Sequence, residues 1–165
     1  MKNRQRVQAI IIQNNKVLFG SGLVNGKDFR HFFIGGGIEE GENPEEAIMR
    51  ELMEEANVDG SIIFKFEKEY KEDHHTFLID IGNKSVTLGY DPEDEEMETN
   101  FRMLQKLELI PINEYDRFSL IDIVYFKILL EECNNRNYFP KWFAELEILI
   151  ESYIGENIWL HKYLL

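Results

Sequence analysis

The stretch from Gly36 to Val58 constrains this chain most: a run of glycines is followed at once by a capped, acidic helix. Asn43 suits the N-cap, because its side-chain oxygen can accept from the free N–H groups of the first turn. Pro44 then falls at the first helical position, where the missing N–H costs nothing. Glu46 stands three residues after Asn43, as the reaching-back partner of a capping box does. Glu45 and Glu46 also suit the positive end of the helix dipole. Asn57 can end the helix, since asparagine tolerates the left-handed conformation.

Successive helical side chains are about 100° apart, so Glu54 and Glu55 fall within roughly 60° of Glu51. Ile48, Met49, Leu52 and Ala56 form a separate stripe centred about 130° away. The helix therefore buries one side and presents three carboxylates on another. Like charges at this spacing repel by a few tenths of a kcal/mol per pair. A cation between them reverses that sign. Oxygen-only ligands favour hard ions, and Mg²⁺ is the usual choice where phosphates complete the shell. Taken alone, a Glu-x-x-Glu-Glu run is more often a solvated helix face.

Charge and size narrow the rest. The 165 residues suit one domain, 1–165, and 44% hydrophobic content marks a globular chain and not a disordered one. A net charge of −13 argues against a general nucleic-acid binder, which needs a basic face. It would also repel a phosphorylated substrate unless bound cations invert the local sign. The lone Cys133 cannot form an internal disulfide, which points to a reducing compartment, the cytoplasm. No apolar run reaches signal-peptide or membrane-spanning length, so no membrane partner is expected.

In chain order, Val7 to Ile12 reads as a buried strand, Asn14-Asn15 as a tight turn and Lys16 to Phe19 as a return strand. Gly20 to Asp28 is expected as loop, Phe29 to Ile34 as strand, and Gly35 to Gly37 as a turn that lets backbone approach a ligand. Strands are expected at Ile62 to Phe66, His75 to Ile81 and Met103 to Ile110. Six of the eight residues from Asp91 to Glu98 are acidic, in a stretch that reads either as a solvated loop or as a lid supplying a carboxylate. Ser119 to Asp122 is a capping box for a helix to about Cys133, and Pro140 opens another that ends near Gly155. The tail, Ile158 to Leu165, is apolar and must pack on its own chain or on a partner, so a homodimer is one arrangement that would bury it. Arg4, Arg6, Arg30 and Arg102 are the cations that could meet phosphates. Arg30 and His31 lie just before the glycines; an ordinary surface role is the alternative for both.

Gly36, Glu42, Arg50, Glu51, Leu52, Glu54, Glu55 and Val58 resemble, at every spacing, the signature of the Nudix hydrolase family. The departure within it is Asn57, where the family usually has glycine. Ile34 also stands where a proline commonly precedes the glycines. The resemblance covers about residues 7–133 and leaves 134–165 as a C-terminal helical extension. It implies an α/β fold, an α/β/α sandwich with a mixed β-sheet plus extra C-terminal helices.

It implies also hydrolysis of the pyrophosphate bond of a nucleoside diphosphate linked to another moiety. Mg²⁺, with Mn²⁺ as a substitute, would activate water and neutralise the diphosphate. By position in the motif, Glu51 and Glu55 would be metal ligands and Glu54 a ligand or the general base, with Glu51 and Glu54 the catalytic pair. The Gly35 carbonyl would be a further ligand. Arg50 would orient the carboxylates and Glu42 would support the loop. Arg30 and Arg4 would meet substrate, and Glu93, Glu95 or Glu96 would offer an additional carboxylate. Two other readings stand beside the diphosphatase. One is a catalytically silent sensor module that binds a nucleotide or metabolite, against which the intact carboxylates argue. The other is a diphosphate-ester isomerase, which would want an acid that Cys133 is poorly placed to supply.

Overall fold

The computed structural model describes residues 4–24, 26–90, 92 and 102–157. Asn14 and Asn15 both take positive φ, 51° and 57°. Two successive left-handed residues make a turn whose twist matches a hairpin, and β1 (Arg6–Gln13) returns directly as β2 (Lys16–Val24). β2 runs on through Gly20 and Gly22, which the sequence places in a loop. The reason is space. A Cβ on Gly22 would lie 1.8 Å from the Met103 carbonyl oxygen, and one on Gly20 would lie 2.8 Å from Leu104 Cδ1. The chain at 102–105 fills that room: the Leu23 N–H donates to the Arg102 carbonyl at 3.2 Å and the Gln105 N–H to that of Ser21 at 2.7 Å.

β3 (Asp28–Phe32) pairs antiparallel with β2. The chain then breaks at Phe33 and resumes as β4 (Ile34–Gly37). The glycines expected as a turn are thus a strand, antiparallel to β1, with Gly37 opposite Arg6 and Gly35 opposite Gln8. They are small because of what approaches them: a Cβ on Gly36 would sit 2.2 Å from Glu51 Oε1.

After the helix α1 (Pro44–Ala56) come β5 (Ser61–Lys65) and β6 (His74–Asp80), the latter parallel to β1. β7 (Lys106–Pro111) pairs with β2, later than the expected start at Met103. The described strands form one mixed seven-stranded sheet, ordered β3-β2-β1-β6-β5 with β4 on β1 and β7 on β2. α1 lays Ala47, Ile48, Leu52 and Ala56 on a core that includes Val7, Ala9, Phe77 and Ile79. That is the apolar stripe its sequence presents, with the carboxylates turned away from it.

The chain groups into two compact units, Met1–Gln13 with Val17–Leu109, and Asn14–Lys16 with Ile110–Leu165. In the second, Ser119 caps α2 (Leu120–Asn135) in a full capping box with Asp122, and α3 (Phe143–Glu156) follows. Pro140 begins a turn and not the helix itself: its carbonyl accepts from the Phe143 N–H at 3.0 Å. The tail from Ile158 to Leu165 lies outside the described residues. Among the described residues no helix is long and apolar enough to cross a membrane.

Cys133, on α2, is fully buried, and burial pushes its thiol up to about 12. At pH 8 the thiolate fraction is then on the order of one in ten thousand. Native protein should therefore resist a disulfide-exchange reagent at pH 8, while protein in guanidinium chloride should release one equivalent of chromophore at once. Immediate reaction of the native protein would contradict this packing.

Candidate active site

Asn43 and Glu46 fix where α1 begins. The Glu46 N–H donates to Asn43 Oδ1 at 2.8 Å, and the Asn43 N–H donates to Glu46 Oε2 at 3.1 Å. With the start set, Arg50 falls where it can reach four partners. Its Nε and Nη2 donate to the two oxygens of Glu42, at 2.6 and 3.0 Å. Its Nη1 donates to Glu51 Oε1 and to Glu54 Oε2, both at 3.0 Å. Nη2 also donates to the Gly37 carbonyl at 2.9 Å. One planar group thereby ties the loop after β4, the strand itself and two successive turns of α1. Its fork geometry is what allows the bidentate contact with Glu42. Glu42 in turn accepts from the Glu39 N–H at 2.9 Å, which closes the loop.

The electrostatics follow from this crowding. The Arg50 hydrogen bond holds the Glu42 carboxyl below its ordinary range. Glu42, then Glu51 and Glu54, stabilise the charged Arg50 and raise its pKa further. Burial pushes the Glu51 carboxyl upward, against a hydrogen bond with Glu55 and the pull of Arg50. Glu51 and Glu55 are 6% and 2% exposed. Two buried carboxyls within hydrogen-bond reach, beside a third on Glu54, carry more negative charge than one guanidinium offsets.

That imbalance is the test of whether a divalent ion fits. The donors are all oxygen, as a hard cation requires. Among the described residues no group of three His, Cys, Asp or Glu side chains is arranged to hold a metal ion by itself. Mg²⁺ asks for less: one or two carboxylates, with water and substrate phosphates completing the shell. Glu51 and Glu55, with Glu54 beside them, are of the donor type such an open site uses.

These residues edge a cleft of about 390 Å³. Its floor is the bare backbone of Gly35, Gly36 and Gly37, and Arg4 lines it too. Arg4 lies over Gly37, where a Cβ would come 2.4 Å from its guanidinium carbon, and its Nε donates to the Ile38 carbonyl at 3.3 Å. Arg30 stands elsewhere: it pairs with Asp28 at 3.2 Å, both mostly exposed, and does not line the cleft. His31 stacks near Phe19, ring centroids 4.2 Å apart. Glu93, Glu95 and Glu96 lie outside the described residues. Pro92, from the same acidic stretch, lines the cleft. Lys71, Phe32 and Leu104 line it as well and carry no local signature in the sequence. What brings them there is strand pairing between distant segments.

Asn57, the departure from the family signature, takes the left-handed conformation expected of it, φ 49° and ψ 40°. It also does what glycine could not. Its Nδ2 donates to the carbonyl and hydroxyl oxygens of Thr87 at 3.1 and 3.2 Å. The segment beyond then closes the end of α1. The N–H groups of Thr87, Gly89 and Tyr90 donate to the carbonyls of Ala56, Glu55 and Glu54 at 3.1, 2.8 and 2.9 Å. Helix carbonyls that would otherwise lack partners are satisfied directly behind two of the carboxylates.

With this geometry in place, the comparisons agree on family and fold. The NUDIX domain matches residues 2–128, and the chain belongs to the Nudix hydrolase family. Three solved structures are similar in fold. A Nudix hydrolase from Nitrosomonas europaea is 19% identical with a TM-score of 0.53, covering 85% of this chain and 94% of its own. A putative Nudix family member from Chromobacterium violaceum is 19% identical with a TM-score of 0.52, covering 93% and 94%. The ORF135 protein of E. coli is 18% identical with a TM-score of 0.50, covering 72% and 82%. No curated protein sequence matches the chain. The mixed sheet and its helices are those of the Nudix fold.

Replacing Asn57 separates its two roles. Asn57→Ala forces a β-carbon without the amide into the left-handed region and should lower stability by about 1–2 kcal/mol. Asn57→Gly restores the backbone freedom and loses only the bonds to Thr87, so its urea midpoint should lie between those of Asn57→Ala and the parent. A glycine variant less stable than the alanine one would show that the left-handed turn does not penalise a β-carbon here, since both variants lack the amide.

Proposed function

We propose that this protein hydrolyses the pyrophosphate bond of a nucleoside diphosphate derivative with the help of Mg²⁺, or Mn²⁺ in its place. The observation that carries the reading is the clustering of Glu51, Glu54 and Glu55 around Arg50 at the edge of a cleft that also holds cationic side chains. Membership of a family of diphosphate hydrolases that generally use divalent metals supports it. The divalent ions, when bound, neutralise the diphosphate and lower the pKa of the attacking water.

The chain's own residues divide the remaining work. Glu51 and Glu55, buried and within hydrogen-bond reach of each other, suit the ligand role. The Glu54 side chain keeps 26% of its surface open. It stands at the open edge of the cleft and suits the proton acceptor, provided it lies within hydrogen-bond reach of the attacking water. The Gly35 carbonyl borders the same floor and is a further candidate ligand. Arg50 and Glu42 position the carboxylates without touching substrate. Arg4 stands over the glycine floor, where it can meet a phosphate oxygen. Arg30 would reach substrate only by leaving Asp28. The lone, buried Cys133 accords with a reducing compartment such as the cytoplasm.

The test is a panel of nucleoside diphosphate derivatives with Mg²⁺, with and without chelator, with products resolved by chromatography. Chelator-sensitive release of a mononucleotide from one class is the expected result. Glu55→Gln should lower that turnover by at least about a hundredfold, the scale of losing a group that acts in the transition state, with the circular dichroism spectrum unchanged. Absence of turnover from every class with both metals would overturn the reading in favour of a binding module.

A further inference from the structure

The cleft is also lined by cations carried on β1 and in the turn before β6. β1 lies between β4 and β6, with Arg6 opposite Gly37 on one side and His74 on the other. Residues opposite one another on neighbouring strands point to the same face. Two positions along, Gln8 and Thr76 do so, since Gln8 Nε2 donates to Thr76 Oγ1 at 3.0 Å. Val7, between them, points the other way into the core beneath α1. The turn before β6 brings Lys71 to the same end. The His74 N–H donates to the Lys71 carbonyl at 3.1 Å, and the Arg6 N–H donates to the Asp73 carbonyl at 2.9 Å.

Arg6, Lys71 and His74 all line the cleft. Among the described residues neither Arg6 nor Lys71 forms an ion pair. Both cations are exposed to the cleft, in a chain with 31 acidic and 18 basic side chains. Their fields also reach His74: after burial, Lys71 and Arg6 are the largest influences lowering its pKa, opposed more weakly by Asp73 and Glu69. One strand spacing of about 4.8 Å separates Arg6 on β1 from β4, which Arg50 grips, and two separate His74 on β6 from it. His74, with Lys71 in the turn before it, therefore stands farther from β4 than Arg6 does.

We infer that Arg6 and Lys71, beside His74, form an anion subsite for a terminal phosphate of the substrate, whose class is then a nucleoside triphosphate or longer polyphosphate. A nucleotide sugar would offer this end a neutral group and leave the two exposed cations without a counter-charge. The assignment rests on the diphosphatase reading for its place in turnover, but the subsite can be tested without catalysis.

Calorimetric titration of inorganic tripolyphosphate into the chelator-treated protein should show saturable binding. The double variant Arg6→Gln/Lys71→Gln should weaken it on the order of tenfold, and the variant Arg6→Lys/Lys71→Arg, which keeps both charges, should recover most of it. In turnover, the double variant should lower the ratio of kcat/KM for a nucleoside triphosphate over a nucleoside diphosphate hexose by a similar factor, chiefly through KM. No binding by the parent protein, or equal binding by the double variant, overturns the subsite. If no substrate is hydrolysed at all, the diphosphatase reading fails while the titration still decides the subsite.

Discussion

The guanidinium of Arg50 is the contact on which the rest of the site depends. Its hydrogen bonds join the Gly37 carbonyl of β4, the loop carboxylate of Glu42, and Glu51 and Glu54 on α1. No other side chain here could serve, because a lysine offers neither the planar fork nor the number of donors. Removing the partner of a buried carboxylate costs about 3–5 kcal/mol. Arg50 thus makes an otherwise repulsive helix face stable enough to fold while leaving it short of positive charge. That remaining deficit is what a divalent ion can fill.

Backbone constraints support this centre from two sides. On one, Gly36 leaves room for the Glu51 carboxyl to lie directly against β4. On the other, Asn57 ends α1 and fastens the segment at Thr87–Tyr90 across its last carbonyls. A Cβ at Gly89 would lie 1.8 Å from the Glu54 carbonyl oxygen, so this closure too depends on a missing side chain. The carboxylates sit between these two close approaches, on a helix whose start is fixed by the Asn43–Glu46 capping box. Rigid support of this kind is what a site needs to hold charged groups in place against their own repulsion.

The parts of this arrangement that were legible in the sequence are local ones. Caps, helical periodicity and the alternation of β6 each depend on neighbours within a turn or two, and they placed α1, its apolar stripe and its carboxylates. The glycines were harder. At Gly20, Gly22 and Gly35–Gly37 the sequence suggested loop, yet all lie in strands, because each is small for a partner far along the chain: Leu104, Met103, Val7, Glu51 and Arg4. A glycine that bends backbone and one that admits a neighbour look alike in one dimension. The same limit hid Lys71, which reaches the cleft only through the turn and pairing of β6. Arg30 looked well placed by its nearness to the glycines, yet it pairs with Asp28 at the surface.

The cleft that results brings the carboxylates of α1 together with Arg4, Arg6, Arg50 and Lys71, in a protein whose net charge is −13. The proposed hydrolysis requires that the carboxylates of α1 take up divalent cations. Electron paramagnetic resonance of Mn²⁺ measures this without substrate or turnover, since free and bound ions give distinct signals. The account predicts that the parent protein depletes the free-ion signal saturably, and that Glu51→Gln, folded by circular dichroism, leaves most of the ion free. Equal depletion by parent and variant, or none by the parent, would contradict it.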